Sequence, residues 1–237
     1  LWHLLGISAV MALLFLCSMP FVARGTGRRP TGTTTVALPA TPVWKDTRVL
    51  LLGAIVLAIA FTEGTANDWL PLIMVDGHGV SATLGSFVYA IFSIAMAVGR
   101  FAGGPFIQRF GNAHALRVSA VSAALGLALV SFVDNQIVAM AAVLLWGIGA
   151  SLGFPVAISA AGGSGPNAAA RVTFVATLGY LAFLVGPPLL GFLGQHYGLR
   201  VALIAPLIVV TCAFFLIGRA VRGHRSAPQT DSTLSRR

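Results

Sequence analysis

Seven stretches of this chain are long and apolar enough to cross a lipid bilayer: 1–22, 49–75, 83–104, 115–133, 137–161, 172–194 and 199–218. A span of roughly 30 Å of hydrocarbon takes about 20 apolar residues in a helix. Inside lipid, every backbone N–H and C=O has to find its partner within the segment or within a closed barrel. Continuous apolar runs of this length read as helices. The chain is therefore expected to be an all-α integral membrane protein with seven transmembrane helices. Composition agrees: 57% of the 237 residues are hydrophobic and only 9% are charged, against about 25% charged in a soluble domain.

The net charge of +9 does not indicate nucleic acid, because the basic residues fall in short connections between apolar runs. There they report topology, since Lys and Arg accumulate on the cytoplasmic side. Arg24, Arg28, Arg29, Lys45, Arg48, Arg100, Arg109, Arg117, Arg171, Arg219, Arg222, Arg225, Arg236 and Arg237 fall on one side, and Arg200 alone on the other. The first side, with the C-terminus, is thus expected to be cytoplasmic in a bacterial inner membrane. The segment RGTGRRPTGTTTVALPATPVWKD after the first run reads as a solvated linker. Cys17 and Cys212 lie inside apolar runs and read as packing residues.

Two connections look alike. GPFIQRFG (Gly104 to Gly111) follows the third run and GFLGQHYG (Gly191 to Gly198) follows the sixth. Both read G-x-x-x-Q-x-x-G, and the charge topology sets them on opposite sides. Runs two to four and five to seven then form a 3+3 inverted repeat, an architecture of transporters. Gly99 and Gly103, and Gly149 and Gly153, sit four residues apart, as close helix packing requires. Pro155, Pro187 and Pro188 are expected to kink or open their helices.

In these features the chain resembles the major facilitator superfamily. VGRFAGGPFIQRFG (Val98 to Gly111) resembles its loop signature G-x-x-x-D-R/K-x-G. LLWGIGASLGFPVAISAA and LGYLAFLVGPPLLGFLGQHYG resemble its tenth and eleventh helices, and EGTANDWL is similar to the YbjJ-like bacterial inner-membrane branch. The resemblance implies that 1–22 is the last helix of a truncated N-terminal half. It makes 23–47 a cytoplasmic linker, 48–219 the C-terminal six-helix half and 220–237 a cytoplasmic tail. A missing N-terminal half would supply the other wall of the site. The loop acid of the family is replaced by Gln108 here, so a gating loop of Arg100, Gln108 and Arg109 would latch without that charge. For Arg100 and Arg109 the simpler alternative is snorkelling to the cytoplasmic interface.

The sequence FTEGTANDWL raises a separate question, because a carboxylate in hydrocarbon is costly. Counting from Val49, Glu63 lies about 21 Å along the helix and Asp68 about 28 Å. Asn67 shares the face of Glu63 at i+4. Gly64 and Pro71 make this half of the helix a poor one, and relatives in the family are often broken there. No Lys or Arg is expected at the depth of Glu63, which makes it a candidate proton-coupling or ligand-binding group. An acid in a water-filled vestibule is the alternative. Asp68 reads first as a solvated interfacial cap, with a functional role as the alternative, and Trp69 fits an aromatic belt. Tyr89, Trp146, Tyr180 and Phe183 are candidate cavity-lining aromatics, with packing as the alternative.

No phosphate-binding GxxxxGK[S/T] loop and no metal or nucleophile constellation occurs, so no cofactor and no enzyme activity is expected. The function expected is secondary transport of a small solute by alternating access, coupled to protons. The alternative is a membrane scaffold or receptor that retains the transporter fold.

Overall fold

The computed structural model describes residues 2–18, 42–163 and 167–221. Every element among them is helical. The chain divides into two compact units, 1–38 and 39–237. The first contributes α1 (Trp2–Ser18), about 26 Å long at ~1.5 Å per residue. Most of the expected linker and nearly all of the tail lie outside the described residues.

In the second unit, five segments are long and apolar enough to cross a membrane. They are α2 (Thr47–His78), α3 (Ala82–Phe132), α4 with α5 (Gln136–Ser151, Gly153–Gly162), α6 (Ala168–Tyr197) and α7 with α8 (Leu199–Ala202, Ile204–Val221). The runs expected at 83–104 and 115–133 share one 51-residue element, α3. Straight, it would measure about 77 Å, more than twice the hydrocarbon thickness. It is not straight. Gly111, at φ 80° and ψ 163°, is non-helical and divides it. The chain then turns back, because His78 at the end of α2 bonds Val130 O at 2.9 Å.

Local chemistry explains the boundaries. Asp46 caps α2 by accepting from Arg48 N at 3.0 Å, and Gly79 closes it in the left-handed conformation at φ 69°. Ser81 accepts from Leu84 N to start α3. Asn135 accepts from Ile137 N and Val138 N to start α4. The interruption at Leu152 lies three residues before Pro155, which therefore sits in the first turn of α5, where no N–H is needed.

The core gathers around α2. In its most apolar stretch 78% of residues are buried, against 17% for α6. α3 and α4 meet backbone to backbone: a side chain at Gly126 would strike the backbone of Trp146 and Ala142, and one at Gly149 the backbone of Ala123. Gly99 lies against Ser151 and Gly103 against Leu152.

Three expectations need correction. α2 runs helical through both Gly64 and Pro71, because the buried packing on this central helix outweighs their poor propensity. Trp69 is half-buried rather than part of a belt. Its indole N–H donates to Pro187 O at 3.1 Å and its ring covers Gly191. Cys17 and Cys212 are exposed, not packed.

Gly111 and Gly198 adopt nearly the same backbone shape, φ 80° and ψ 163° against φ 86° and ψ 149°. That region is essentially closed to residues with a side chain, at about 1–3 kcal/mol of strain. Gly111→Ala and Gly198→Ala should each lower thermal stability in detergent by a similar amount of that order. Gly104→Ala, where added bulk meets nothing within 4 Å, should change it little.

Candidate functional site

Glu63 and Arg100 face each other across the α2–α3 hairpin. The two helices join through the short turn at Gly79 to Ser81, so their depths can be counted from a common point. Glu63 lies about 22 Å before that turn and Arg100 about 27 Å after it. The long arginine side chain covers the difference. Its Nη2 donates to Glu63 Oε1 at 3.1 Å and also approaches Met96 Sδ at 3.4 Å. The side chain of Glu63 is 12% exposed and that of Arg100 50%. The acid is enclosed while the guanidinium opens outward.

This overturns the expectation that no basic residue reaches Glu63. The error came from placing the end of the third run at 104, which left Arg100 at an interface. The helix in fact continues to the break at Gly111, so Arg100 lies about 16 Å inside it. Counting residues from the shared turn would have found the pair.

Other expected site residues divide into two groups. Tyr89 donates its hydroxyl to Asn67 Oδ1 at 3.4 Å, one turn from Glu63 on the same face of α2. Phe183 packs where Gly64 leaves space beside Glu63. Glu63 and Asn67 on α2, with Arg100 and Tyr89 on α3, form a polar strip, and Phe183 of α6 packs beside it. Trp146 is not part of it: it is fully buried, with its ring edge-on to Phe92 at 5.7 Å. Tyr180 is exposed on α6 and lies 6.2 Å from Phe154. Asp68 is exposed beside Asn67. Gln108 and Arg109 are exposed near the Gly111 break, where the Arg109 guanidinium stands 5.4 Å from the Phe110 ring centre.

Sequence reasoning missed three tethers. At the α2–α3 turn end, Arg200 donates to Ser131 O, Val133 O and Asp134 Oδ1, and its own carbonyl accepts from Ser131 Oγ. The guanidinium thereby caps the exposed carbonyls that end α3. Gln136 Nε2 donates to His78 O at 2.7 Å and ties α4 to the same place. At the opposite end Arg171 pairs with Asp46 at 3.4 Å, linking the starts of α6 and α2. The only advance signal was the isolation of Arg200 from the other basic residues. Among the described residues no group of three or more His, Cys, Asp or Glu could hold a metal ion.

A family model described as the Major Facilitator Superfamily matches residues 1–181. An uncharacterised MFS-type transporter of Yersinia pestis is 28% identical over 81% of this chain and 49% of its own length. Membrane protein MosC of Rhizobium meliloti is 28% identical over 77% of this chain and 45% of its own. An uncharacterised transporter of Sinorhizobium fredii is 30% identical over 71% of this chain and 46% of its own. The chain spans about half the length of these curated relatives.

The pair invites a double-mutant cycle. Glu63→Gln strands a guanidinium and Arg100→Gln strands an enclosed carboxylate, so each alone should destabilise the protein. The double variant should lose less than the sum, with a coupling of about 0.5–3 kcal/mol by thermal or denaturant unfolding. Additive losses would show that the two groups do not interact.

Proposed function

This chain belongs to the Major Facilitator Superfamily, and on that premise we propose that it forms the C-terminal half of a secondary transporter. In this reading the transporter carries a small solute by alternating access. α2, the two runs of α3, α4 with α5, α6, and α7 with α8 supply six spans arranged as a 3+3 inverted repeat, and α1 precedes them as a seventh. The matching backbone shapes of Gly111 and Gly198, each closing a G-x-x-x-Q-x-x-G loop, support the repeat. The distribution of Lys and Arg supports a bacterial inner-membrane protein with the Gly111 break, residue 46 and the C-terminus on the cytoplasmic side.

The observation that carries the transport reading is the Glu63–Arg100 pair. Intramembrane ionisable groups are rare, and they mark substrate and ion pathways. A charged Glu63 holds Arg100. A proton delivered to Glu63 removes that attraction and releases the guanidinium. The pair is therefore a two-state element that a proton can bias. Asn67, Tyr89 and the exposed Asp68 continue the strip and offer hydrogen-bonding groups to a solute, with Tyr180 on α6 available from the neighbouring helix. Trp146 supports this wall from behind through Phe92. Gln108 and Arg109 act at the loop as part of the gate. The remaining wall of the site comes from an N-terminal half, as the length of the relatives suggests.

Glu63→Gln mimics the protonated state. Reconstituted into vesicles in the full-length protein, it should abolish uphill accumulation driven by a pH gradient and leave solute exchange measurable. Asp68→Asn should be milder. Accumulation by Glu63→Gln equal to wild type between pH 5 and 8 would remove the coupling role. Absence of any solute movement by the wild type would favour a receptor or scaffold that retains the fold.

A further inference from the structure

Arg100 has a second face. Only its Nη2 is engaged by Glu63 and Met96, and among the described residues Nε and Nη1 meet no acceptor. The same side chain lines a cleft of about 330 Å³ between α3 and α5, beside the Gly111 break. Arg100, Asn112 and Ser159 supply its polar lining, and Ile107, Leu152 and Pro155 supply apolar walls. Among the described residues no aspartate or glutamate lines it, and Glu63 is not one of its lining residues. The volume falls at the small end of ligand sites, which run from about 300 to 1,000 Å³.

These properties select a ligand. Arg100 is half exposed, and its unused donors beside apolar walls suit an anionic oxygen through charge-assisted hydrogen bonds. The Asn112 amide and the Ser159 hydroxyl add hydrogen-bonding groups elsewhere in the same lining. The apolar walls suit a short hydrocarbon body, and an ammonium would find only donors and no acceptor in Arg100. We propose that this cleft binds a small soluble organic anion, a carboxylate or phosphate monoester with an apolar body, and that Arg100 holds its charged group. This assigns a substrate class to the transporter reading and rests on it. Arg100 then joins two partners, Glu63 through Nη2 and the solute through its remaining donors.

The test uses probes with one body and different heads: benzoate, phenyl phosphate, benzylamine and benzyl alcohol. Binding is measured on the full-length protein in phosphatidylcholine nanodiscs. Benzoate or phenyl phosphate should bind, and the amine and alcohol should not. Gly104→Leu fills the cleft from a position where a Cβ meets nothing within 4 Å, and it leaves the Glu63–Arg100 pair intact. It should weaken anion binding about tenfold or more, as should Arg100→Gln, with Arg100→Lys between. Asn112→Leu is the second cleft variant should Gly104→Leu fold poorly. Equal binding of amine and anion, or anion binding untouched by both cleft variants, overturns the proposal. So does displacement of benzoate by added phosphatidylglycerol together with no benzoate uptake, which would make the cleft a lipid headgroup site. Vesicle uptake separates the two readings. A protein that accumulates neutral solutes and ignores the anions keeps transport and loses the anion site. One that binds the anions in the cleft and accumulates no solute keeps the site and loses transport.

Discussion

Where helices end near lipid, their last carbonyls and first amides have to be satisfied by the protein itself, and the architecture of this unit follows from how that is done. At the α2–α3 turn the solution is dense. Arg200 covers the carbonyls of Ser131 and Val133. His78 bonds Val130 O, and Gln136 bonds His78 O. Four segments are tied into one block, largely by side chain to backbone contacts. At the far end the described residues show a lighter arrangement, with Asp46 serving both as the cap of α2 and as the partner of Arg171. Glu63 and Arg100 lie between these two ends, in the part of the molecule where neither network reaches.

That placement gives the pair its character. A charged couple enclosed on both sides would be a structural fixture, expensive to break. Here one member is enclosed and the other half open. The enclosed carboxylate has a strong need for its partner, while the guanidinium has alternatives. Such an asymmetric couple can exchange partners without leaving a fully buried charge alone.

Most of the helical layout could be read from residues. Apolar runs located the elements, and Asp46, Ser81 and Asn135 mark starts that cap chemistry predicts. The glycines at 99, 103 and 149 sit at close contacts, as their spacing implied. The failures differ in cause. Gly64 and Pro71 weaken an isolated helix, but α2 is surrounded, and tertiary packing keeps it continuous. Trp69 looked like an interfacial ring because its depth fits a belt, yet its direction around the helix aims it at α6. Arg100 was set at an interface because hydropathy ended its run too early. Hydropathy reports where lipid is tolerable. It says little about which way a side chain points: the shared face of Glu63 and Asn67 follows from their spacing, while the contacts of Tyr89 and Arg100 across the hairpin do not follow from hydropathy.

The contact between Trp69 and the α6 backbone has a practical corollary. The chain has four tryptophans. The ring of Trp146 is sealed in the core, while the indole N–H of Trp69 is held by the Pro187 carbonyl on another helix. Any sliding of α2 against α6 has to lengthen or break that one bond and change the polarity around the indole. The protein thus carries an intrinsic optical gauge at the seam between its central helix and α6, readable by emission wavelength without attaching a dye.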